Sequence, residues 1–193
     1  MPLILASASP RRRQLLTEAG YDFEIVPSDV DEPEPPAGTR VVDYVAWLAW
    51  RKASAVAARR GEGLILGADT SCSVAGEILN KPVDRADAER MIRLQEGREI
   101  DVVTGLCLYR GGRDVWVGAV ETTVCTCRPL TDAERLEHLD SGRWEGKAGA
   151  YGVQDDDPFV TVVRGSWSNV VGLPMERLAA LLAASRDLLG VEG

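Results

Sequence analysis

The 193-residue sequence predicts a single α/β domain of mixed α+β content, in which helices flank a mixed sheet. Three observations support this fold class. Apolar runs with strand character alternate with segments of helical periodicity. Two long strand-like stretches, 100–109 and 115–127, are joined at Gly111-Gly112, which is typical of an antiparallel hairpin. Neither an internal repeat nor an interdomain linker divides the sequence, so residues 1–193 are predicted to form one domain.

The first predicted elements are a strand, a helix and a second strand. Residues 3–5 form an apolar run, and Pro10 suits the first position of the helix that follows. Residues 21–26 alternate between apolar and polar side chains, as a strand does. The segment 27–38 is rich in proline and acidic residues, so it is predicted to be a loop or flap.

A long helix and a buried strand are predicted next. Thr39 offers an N-cap for a helix that reaches about Arg60 and carries an apolar stripe. Lys52 falls inside that stripe, so its ammonium group either snorkels at the boundary or points into a cleft. Residues 63–68 then predict a buried strand that ends at Asp69-Thr70.

The remaining elements continue the alternation of helices and strands. Asp84 is a candidate N-cap for a third helix, which leads into the predicted hairpin. Thr131 opens another helix, and residues 159–163 form an apolar strand. A final helix is expected to start after Pro174 and to end near Leu189.

The start of the first helix has an unusual charge. Arg11, Arg12 and Arg13 occupy its first turn, where cations oppose the helix dipole by about 0.3–1 kcal/mol each. Ser7, Ser9 and the unpaired backbone N–H groups add hydrogen-bond donors beside the guanidinium groups. This combination suits phosphate oxygens, and a solvated arginine cluster is the alternative.

Further charged residues are spread along the sequence. Asp69, at the predicted end of an apolar strand, is suited to bind a hard cation or to act as a base. Lys81 and Lys147 lie on tight, irregular backbone, and Asp31 and Glu32 in the acidic loop are candidate metal ligands. Each of these residues alone has an ordinary structural explanation. Together, separated cations and a few carboxylates suit a metal-bound triphosphate.

Composition excludes several classes of protein. The net charge of −8 argues against broad binding to nucleic acid or to anionic membranes. The apolar run at the N-terminus is too short for a signal peptide, and no apolar segment approaches membrane-spanning length. A cytoplasmic location is therefore expected. Neither a Walker sequence nor a G-x-G-x-x-G fingerprint is present.

The cysteines and the histidine do not predict a metal or hydrolase centre. The four cysteines lack paired Cys-x-x-Cys spacing and are expected to be buried, reduced thiols. They are Cys72, Cys107, Cys125 and Cys127. His138, the one histidine, lies on a helix that looks exposed, so a serine-hydrolase triad is unsupported. The acidic triplet 155–157 is expected to be a charged loop.

Several motifs, taken together over nearly the whole chain, resemble the Maf nucleotide pyrophosphatases. They are Leu5-Ala6-Ser7-Ala8-Ser9-Pro10-Arg11-Arg12, Asp31-Glu32, Lys52-Ala53, Gly67-Ala68-Asp69-Thr70, Lys81-Pro82, Thr104-Gly105, residues 147–154 and residues 169–174. The resemblance implies an elongated structure with two lobes around a cleft, related to inosine-triphosphate pyrophosphatases. It also implies that a nucleoside triphosphate is hydrolysed to the monophosphate and pyrophosphate with a divalent cation, Mg²⁺ or Mn²⁺, and that the protein forms a homodimer.

The resemblance implies roles for individual residues. Asp69 matches the proposed catalytic proton acceptor of the family, and it either takes a proton or holds the metal together with Glu32. The residues that match the family's cleft are Ser7, Arg11, Arg12, Glu32, Lys52 and Lys81. Ser9, Thr70 and Lys147 are added as expected substrate contacts.

The resemblance also favours one substrate class. Arg11, Thr70 and Gln154 match positions associated with base selectivity in the dTTP/UTP branch of the family. The branch that resembles 7-methyl-GTP pyrophosphatases has an aromatic residue, a glutamine and an acid at these positions. The expected substrates are dTTP and UTP. The alternatives are a 7-methyl-GTP-type pyrophosphatase and a non-catalytic nucleotide-binding regulator of septum formation.

The sequence departs from the family pattern at three places. Asp101 stands where a histidine is frequent, and Asn80 replaces a common glycine before Lys81. Residues 155–157 are acidic where glycine is usual after Gln154. None of these departures removes a proposed catalytic group, but the acidic triplet adjoins the residue expected to read the base.

Overall fold

The strands lie in one mixed sheet in the computed structural model, which describes residues 3–152 and 159–190. In these ranges the strands are β1 (Leu3–Leu5), β2 (Phe23–Ile25), β3 (Gly63–Val74), β4 (Glu77–Leu79), β5 (Glu99–Gly111), β6 (Val115–Cys127) and β7 (Val160–Arg164). The α-helices are α1 (Pro10–Glu18), α2 (Val41–Arg60), α3 (Arg85–Gln95), α4 (Asp132–Asp140), α5 (Trp167–Val171), α6 (Met175–Ala184) and α7 (Arg186–Leu189), and a 3-10 helix spans Ala148–Ala150. The predicted fold class is confirmed.

The order of the strands explains why the sheet is mixed. The path is β2-β1-β3-β5-β6-β7, with β4 paired to β3. β1 is parallel to both β2 and β3, and these parallel pairs are connected through the helices α1 and α2. The pairs on the other side of β3 are antiparallel, and β5 and β6 form the hairpin that the sequence predicts.

Strand β3 runs between two apolar cores. Leu66 and Ala68 belong to a core that includes residues of α1 and α6. Cys72 and Val74 belong to a second core, which includes residues of α3, α4 and β7. Alternation places Thr70 on the same face, in the gap between the two cores. This arrangement fits the expected two lobes around a cleft.

Helix α2 packs against the opposite face of the sheet at two glycines. A Cβ atom on Gly67 would lie 2.1 Å from the carbonyl oxygen of Ala49, and one on Gly105 would lie 2.4 Å from that of Val45. The backbones approach this closely because both positions lack a side chain. Asp69 follows Gly67 by two residues and therefore faces the same helix.

Strand β3 does not end at Asp69-Thr70, so that prediction was wrong. The strand continues to Val74, with Asp69 opposite Gly105 and Thr70 opposite Thr104 in the ladder to β5. The prediction took the first polar residues as the end of the strand. The backbone hydrogen bonds of a strand continue past polar side chains when those side chains face a cleft.

The boundaries of some helices also differ from the predictions. Helix α2 begins at Val41, with Arg40 rather than Thr39 as its N-cap residue. The predicted final helix is split at Ser185 into α6 and α7. Helix α5 was not predicted, because its 5 residues are too few to show helical periodicity. At the start of α1, in contrast, the Ser9 side chain accepts a hydrogen bond as the N-cap residue, and the proline follows it directly as predicted.

The histidine and the cysteines are buried. His138 was expected on an exposed helix, but its Nε2 atom lies 3.0 Å from the carbonyl oxygen of Ala150, and its ring packs near that of Tyr151. The four cysteines are free and buried, as predicted. Burial raises the pKa of Cys72 to about 12. Within residues 3–152 and 159–190, no helix is long and apolar enough to cross a membrane.

Replacing Gly67 by alanine is expected to lower the free energy of unfolding by about 1–3 kcal/mol, because the new Cβ atom would push α2 away from β3. Urea denaturation followed by circular dichroism measures this change. Gly118→Ala is the control, since a Cβ atom there would meet its nearest neighbour, the carbonyl oxygen of Leu106, at 3.2 Å. The control should lose less stability. Equal losses in the two variants would contradict the close packing of α2 on β3.

Candidate active site

A cavity of about 470 Å³ opens at the gap between the two cores. Its walls come from the start of α1, the acidic loop, α2, β3 and the segments around residues 80 and 147. The charged residues among the described part of its lining are Arg11, Arg12, Asp29, Glu32, Lys52, Asp69, Lys81 and Lys147. Five cations and three carboxylates, of which Asp29 is paired with Arg59, thus make the cleft locally basic in a protein whose net charge is −8.

Lys52 joins two of the carboxylates of the cleft, Glu32 and Asp69. Its Nζ atom lies 2.6 Å from Oδ1 of Asp69 and 2.7 Å from Oε1 of Glu32. The side chains of Lys52 and Asp69 are each only 7% exposed. The lysine therefore points into the cleft, which decides between the two alternatives that its place in the helical stripe left open.

Glu32 links Lys52 to a second lysine. Its Oε2 atom accepts a hydrogen bond of 3.1 Å from Nζ of Lys81. Partial burial alone raises the pKa of Glu32, but the charges and hydrogen bonds of Lys52 and Lys81 outweigh it and lower this pKa from 4.5 to about 2. The resulting contribution to stability is complete above pH 4.5 and is lost as the pH falls through about 2. Glu32 is thus a carboxylate at neutral pH.

Arg12 is fixed on another wall of the cleft by neutral oxygens. Its Nε atom donates to the carbonyl oxygen of Gly172 at 2.8 Å, Nη1 donates to Oγ of Ser7 at 3.2 Å, and Nη2 donates to Oγ1 of Thr70 at 3.1 Å. Oγ1 of Thr70 lies 2.8 Å from Oγ1 of Thr104 on the neighbouring strand. Burial lowers the pKa of Arg12. Since no carboxylate of the described residues forms an ion pair with it, its positive charge is available to an anion.

Arg11 and Lys147 add positive charge at the same cavity. Nη2 of Arg11 donates to the carbonyl oxygen of Gly146 at 3.3 Å. Burial, together with the positive charges of Arg11 and Arg143, lowers the pKa of Lys147 to about 8. Cations held close enough to disfavour one another's charge are typical of an anion-binding site.

The structure brings nearly all of the predicted site residues together. The cavity is lined by Ser7, Ser9, Arg11, Arg12, Glu32, Lys52, Asp69, Thr70, Lys81 and Lys147. Gln154 and the acidic triplet 155–157 lie outside the described residues, so their expected roles stay predictions. Asp31 is not among the described residues that line the cavity. Its backbone carbonyl accepts a hydrogen bond from Arg51.

Sequence reasoning missed the residues that support the site. Gly172 and Thr104 help to fix Arg12 and Thr70, and Tyr44 hydrogen-bonds to the acidic loop. Thr104 and Gly172 fall within two of the motifs that resemble the family, but no role was predicted for either, and no sequence signal pointed to Tyr44. Asn80 differs: its departure from the family's glycine was a signal, although its contacts were not predictable.

Glu32 and Asp69 are the described carboxylates that could hold a divalent cation. Mg²⁺ is usually bound by one or two carboxylates together with substrate phosphates, and two carboxylates in one cleft fit that pattern. Within residues 3–152 and 159–190, no group of three or more metal-binding side chains occurs. The donor set therefore fits a metal that arrives with a phosphate substrate, which would complete its coordination.

A basic cleft around a buried carboxylate is the arrangement of a phosphate-anhydride hydrolase, which binds anionic phosphates beside a group that activates water. A family model described as "Maf-like protein" matches residues 2–185, and the chain belongs to the Maf family. The resemblance that the motifs indicated is thereby confirmed.

Similar proteins are named dTTP/UTP pyrophosphatases. The protein of Rhodopirellula baltica is 51% identical over 182 residues, which cover 93% of this chain and 80% of the relative. That of Salinibacter ruber is 45% identical over 191 residues, covering 97% and 93%. That of Bdellovibrio bacteriovorus is 41% identical over 187 residues, covering 94% and 97%.

Replacing Lys52 by methionine is expected to destabilise the protein by about 3–5 kcal/mol, because Asp69 and Glu32 would keep their charges without the buried counterion. Urea denaturation at pH 7 measures this loss. The double variant Lys52→Met/Asp69→Asn removes the buried negative charge together with its counterion. Its free energy of unfolding should therefore be higher than that of Lys52→Met alone. An equal loss in the single and double variants would contradict the buried ion pair.

Proposed function

We propose that this protein hydrolyses dTTP and UTP to the nucleoside monophosphate and pyrophosphate. The observation that carries the proposal is the buried Lys52–Asp69 pair in a cleft with four further cations. Relatives that are 41–51% identical over nearly the whole chain and bear the name dTTP/UTP pyrophosphatase support the same substrates. The protein is a hydrolase that acts on phosphorus-containing anhydrides.

The cations of the cleft bind the phosphate groups. Arg12 presents a guanidinium group whose position is fixed by three hydrogen bonds, so little reorganisation is needed when phosphate oxygens arrive. Lys81 and Lys147 add charge from two other segments, and Ser7 and Ser9 line the same wall. These groups neutralise the charge that develops on the departing pyrophosphate.

Asp69 is proposed to activate the attacking water. The water oxygen forms a bond to the α-phosphorus while the bond from that phosphorus to the bridging oxygen breaks, and the electron pair leaves with pyrophosphate. The proton of the water passes to the Asp69 carboxylate. Lys52 donates a hydrogen bond to Oδ1 of Asp69, which holds the carboxylate in place.

Glu32 and Asp69 are the residues proposed to hold Mg²⁺ or Mn²⁺, together with oxygens of the substrate. When bound, the metal supplies additional neutralisation of phosphate charge. Both carboxylates contact Lys52 in this structure, so a bound metal would share these two carboxylates with the lysine.

Selection of the base is assigned to Arg11, Thr70 and Gln154. An amide at position 154 can both donate to and accept from the edge of uracil or thymine. The names of the relatives favour these bases over the alternative of 7-methyl-GTP. A non-catalytic regulator would have no need of a buried base, so the retained Asp69 favours an enzyme. A single domain, a cytoplasmic location, a homodimer and a lack of nucleic-acid and membrane partners remain predictions.

Pyrophosphate release with Mg²⁺, measured across ordinary and modified nucleoside triphosphates, tests the proposed reaction. We expect the highest kcat/KM for dTTP and UTP. Asp69→Asn should lower kcat by about 10²–10⁴-fold, the usual contribution of a positioned base. Asp22→Asn, at an exposed position in front of β2, is the matched control and should leave kcat unchanged.

Three results would contradict parts of the proposal. No release from any triphosphate would contradict the pyrophosphatase activity. Release from 7-methyl-GTP alone would contradict the assigned base preference. Undiminished turnover by Asp69→Asn would contradict the role given to that carboxylate.

The pH dependence of kcat/KM tests the role of Lys147. Because its pKa is lowered to about 8, this lysine is cationic below that pH and becomes neutral above it. We therefore expect kcat/KM for UTP to fall as the pH rises through about 8. In Lys147→Arg the positive charge persists, so the fall should move to higher pH. An unchanged pH profile in Lys147→Arg would show that this side chain does not bind the phosphates.

A further inference from the structure

A continuous series of hydrogen bonds runs from the wall of the cleft, where Ser71 and Asn80 lie, to the buried Tyr44 and the acidic loop. The Tyr44 hydroxyl donates to the carbonyl oxygen of Pro33 at 2.9 Å and accepts from Nδ2 of Asn80 at 3.3 Å. Oδ1 of Asn80 accepts from Oγ of Ser71 at 3.0 Å. The tyrosine hydroxyl has a single hydrogen, which Tyr44 donates to Pro33. The Asn80 atom that contacts this hydroxyl must therefore be the nitrogen of the amide, which donates. Donors and acceptors therefore match at every step.

Two residues of this series are direct sequence neighbours of the Glu32–Lys81 ion pair. Pro33 directly follows Glu32, and Asn80 directly precedes Lys81. The backbone carbonyl of Asn80 also accepts a hydrogen bond of 3.1 Å from the N–H group of Gly149. Through its side chain and its backbone carbonyl, the half-buried Asn80 thus connects β3, α2 and the 3-10 helix at residues 148–150.

The loop that carries Glu32 depends on such contacts for its position. Residues 26–40 contain neither helix nor strand, so no backbone ladder places Glu32. The carbonyl groups on both sides of it are bound by side chains of α2, through Arg51 on one side and Tyr44 on the other. The Arg51 contact is exposed, whereas Tyr44 is only 4% exposed. Tyr44 therefore supplies the contact that is better protected from water.

The ion pair between Glu32 and Lys81 is not sufficient to hold these residues. The Lys81 side chain is 56% exposed and that of Glu32 is 34% exposed. Exposed ion pairs contribute little, because the attraction is screened and two long side chains lose conformational freedom. Fixing the backbone on each side of the pair lowers that entropic cost.

We propose that Tyr44 and Asn80 are positioning residues. Tyr44 holds Glu32 beside Lys52 through its hydrogen bond to Pro33, and Asn80 holds Lys81 beside Glu32 through the peptide link between residues 80 and 81. This inference rests on the proposed function, in which these charged groups act on the phosphates. Tyr44 is not among the described residues that line the cavity. Where the family commonly has glycine, this chain uses the Asn80 side chain for two of the hydrogen bonds.

Hydrogen–deuterium exchange of the nucleotide-free protein tests the positioning without any reference to activity. Tyr44→Phe should make the amides of residues 28–38 exchange about tenfold faster, since one hydrogen bond that holds the loop is lost. Tyr109→Phe is the matched control, because its hydroxyl bonds to Asp114 at the hairpin of β5 and β6. Unchanged exchange of the loop in Tyr44→Phe would overturn the proposal.

A double-mutant cycle on kcat/KM for UTP tests whether Tyr44 acts through Glu32. Tyr44→Phe should lower kcat/KM about tenfold in the wild-type protein and should have little further effect in Glu32→Gln. Additive losses would contradict this pathway. If Tyr44→Phe does not fold, Asn80→Ala tests the other half of the series: it should lower kcat/KM in the wild-type protein and have little further effect in Lys81→Met, and additive losses there would contradict the role given to Asn80. If the wild-type protein releases no pyrophosphate, the proposed function fails, whereas the exchange experiment still decides the positioning role.

Discussion

The ion pairing of the buried ammonium group of Lys52 with two carboxylates at the wall of the cleft is the interaction on which the site depends. Burying these charges is expensive unless the ion pair has good geometry, and here Nζ lies 2.6 Å from Asp69 and 2.7 Å from Glu32. That geometry requires α2 to lie close to β3, and Gly67 permits the approach. The packing of one helix on the sheet and the chemistry of the cleft therefore share one physical cause.

Those parts of the fold that local chemistry determines could be predicted from the sequence. Ser9 and Pro10 mark the start of α1, and Gly111-Gly112 marks the hairpin, because caps and turns need particular residue types. The continuation of β3 through Asp69 could not be predicted, because it depends on pairing with the distant strand β5. Thr70, for example, pairs with Thr104, which lies 34 residues further along the chain. The burial of His138 likewise depends on segments that are distant in the sequence.

The charged residues of the candidate site were predictable as a set, while the contacts that position them were not. Lys52 stood out because a lysine interrupts an apolar stripe, but only the structure shows where its ammonium group lies. Arg12 donates to the backbone carbonyl of Gly172, which is 160 residues away in the sequence. Because every residue has a backbone carbonyl, the sequence does not show which one accepts this hydrogen bond. The bonds of Tyr44 and Asn80 are of the same kind. The residue types indicate which chemistry a site can perform, whereas tertiary contacts determine the positions of the side chains that perform it.

The position at which water attacks the substrate tests the central claim most directly. UTP can be hydrolysed by the protein in water enriched in oxygen-18, and the products can be analysed by mass spectrometry. If the carboxylate beside Lys52 directs water to the α-phosphorus, the heavy oxygen will appear in UMP and the pyrophosphate will be unlabelled. Heavy oxygen in the pyrophosphate, or release of orthophosphate instead, would contradict the reaction assigned to this cleft.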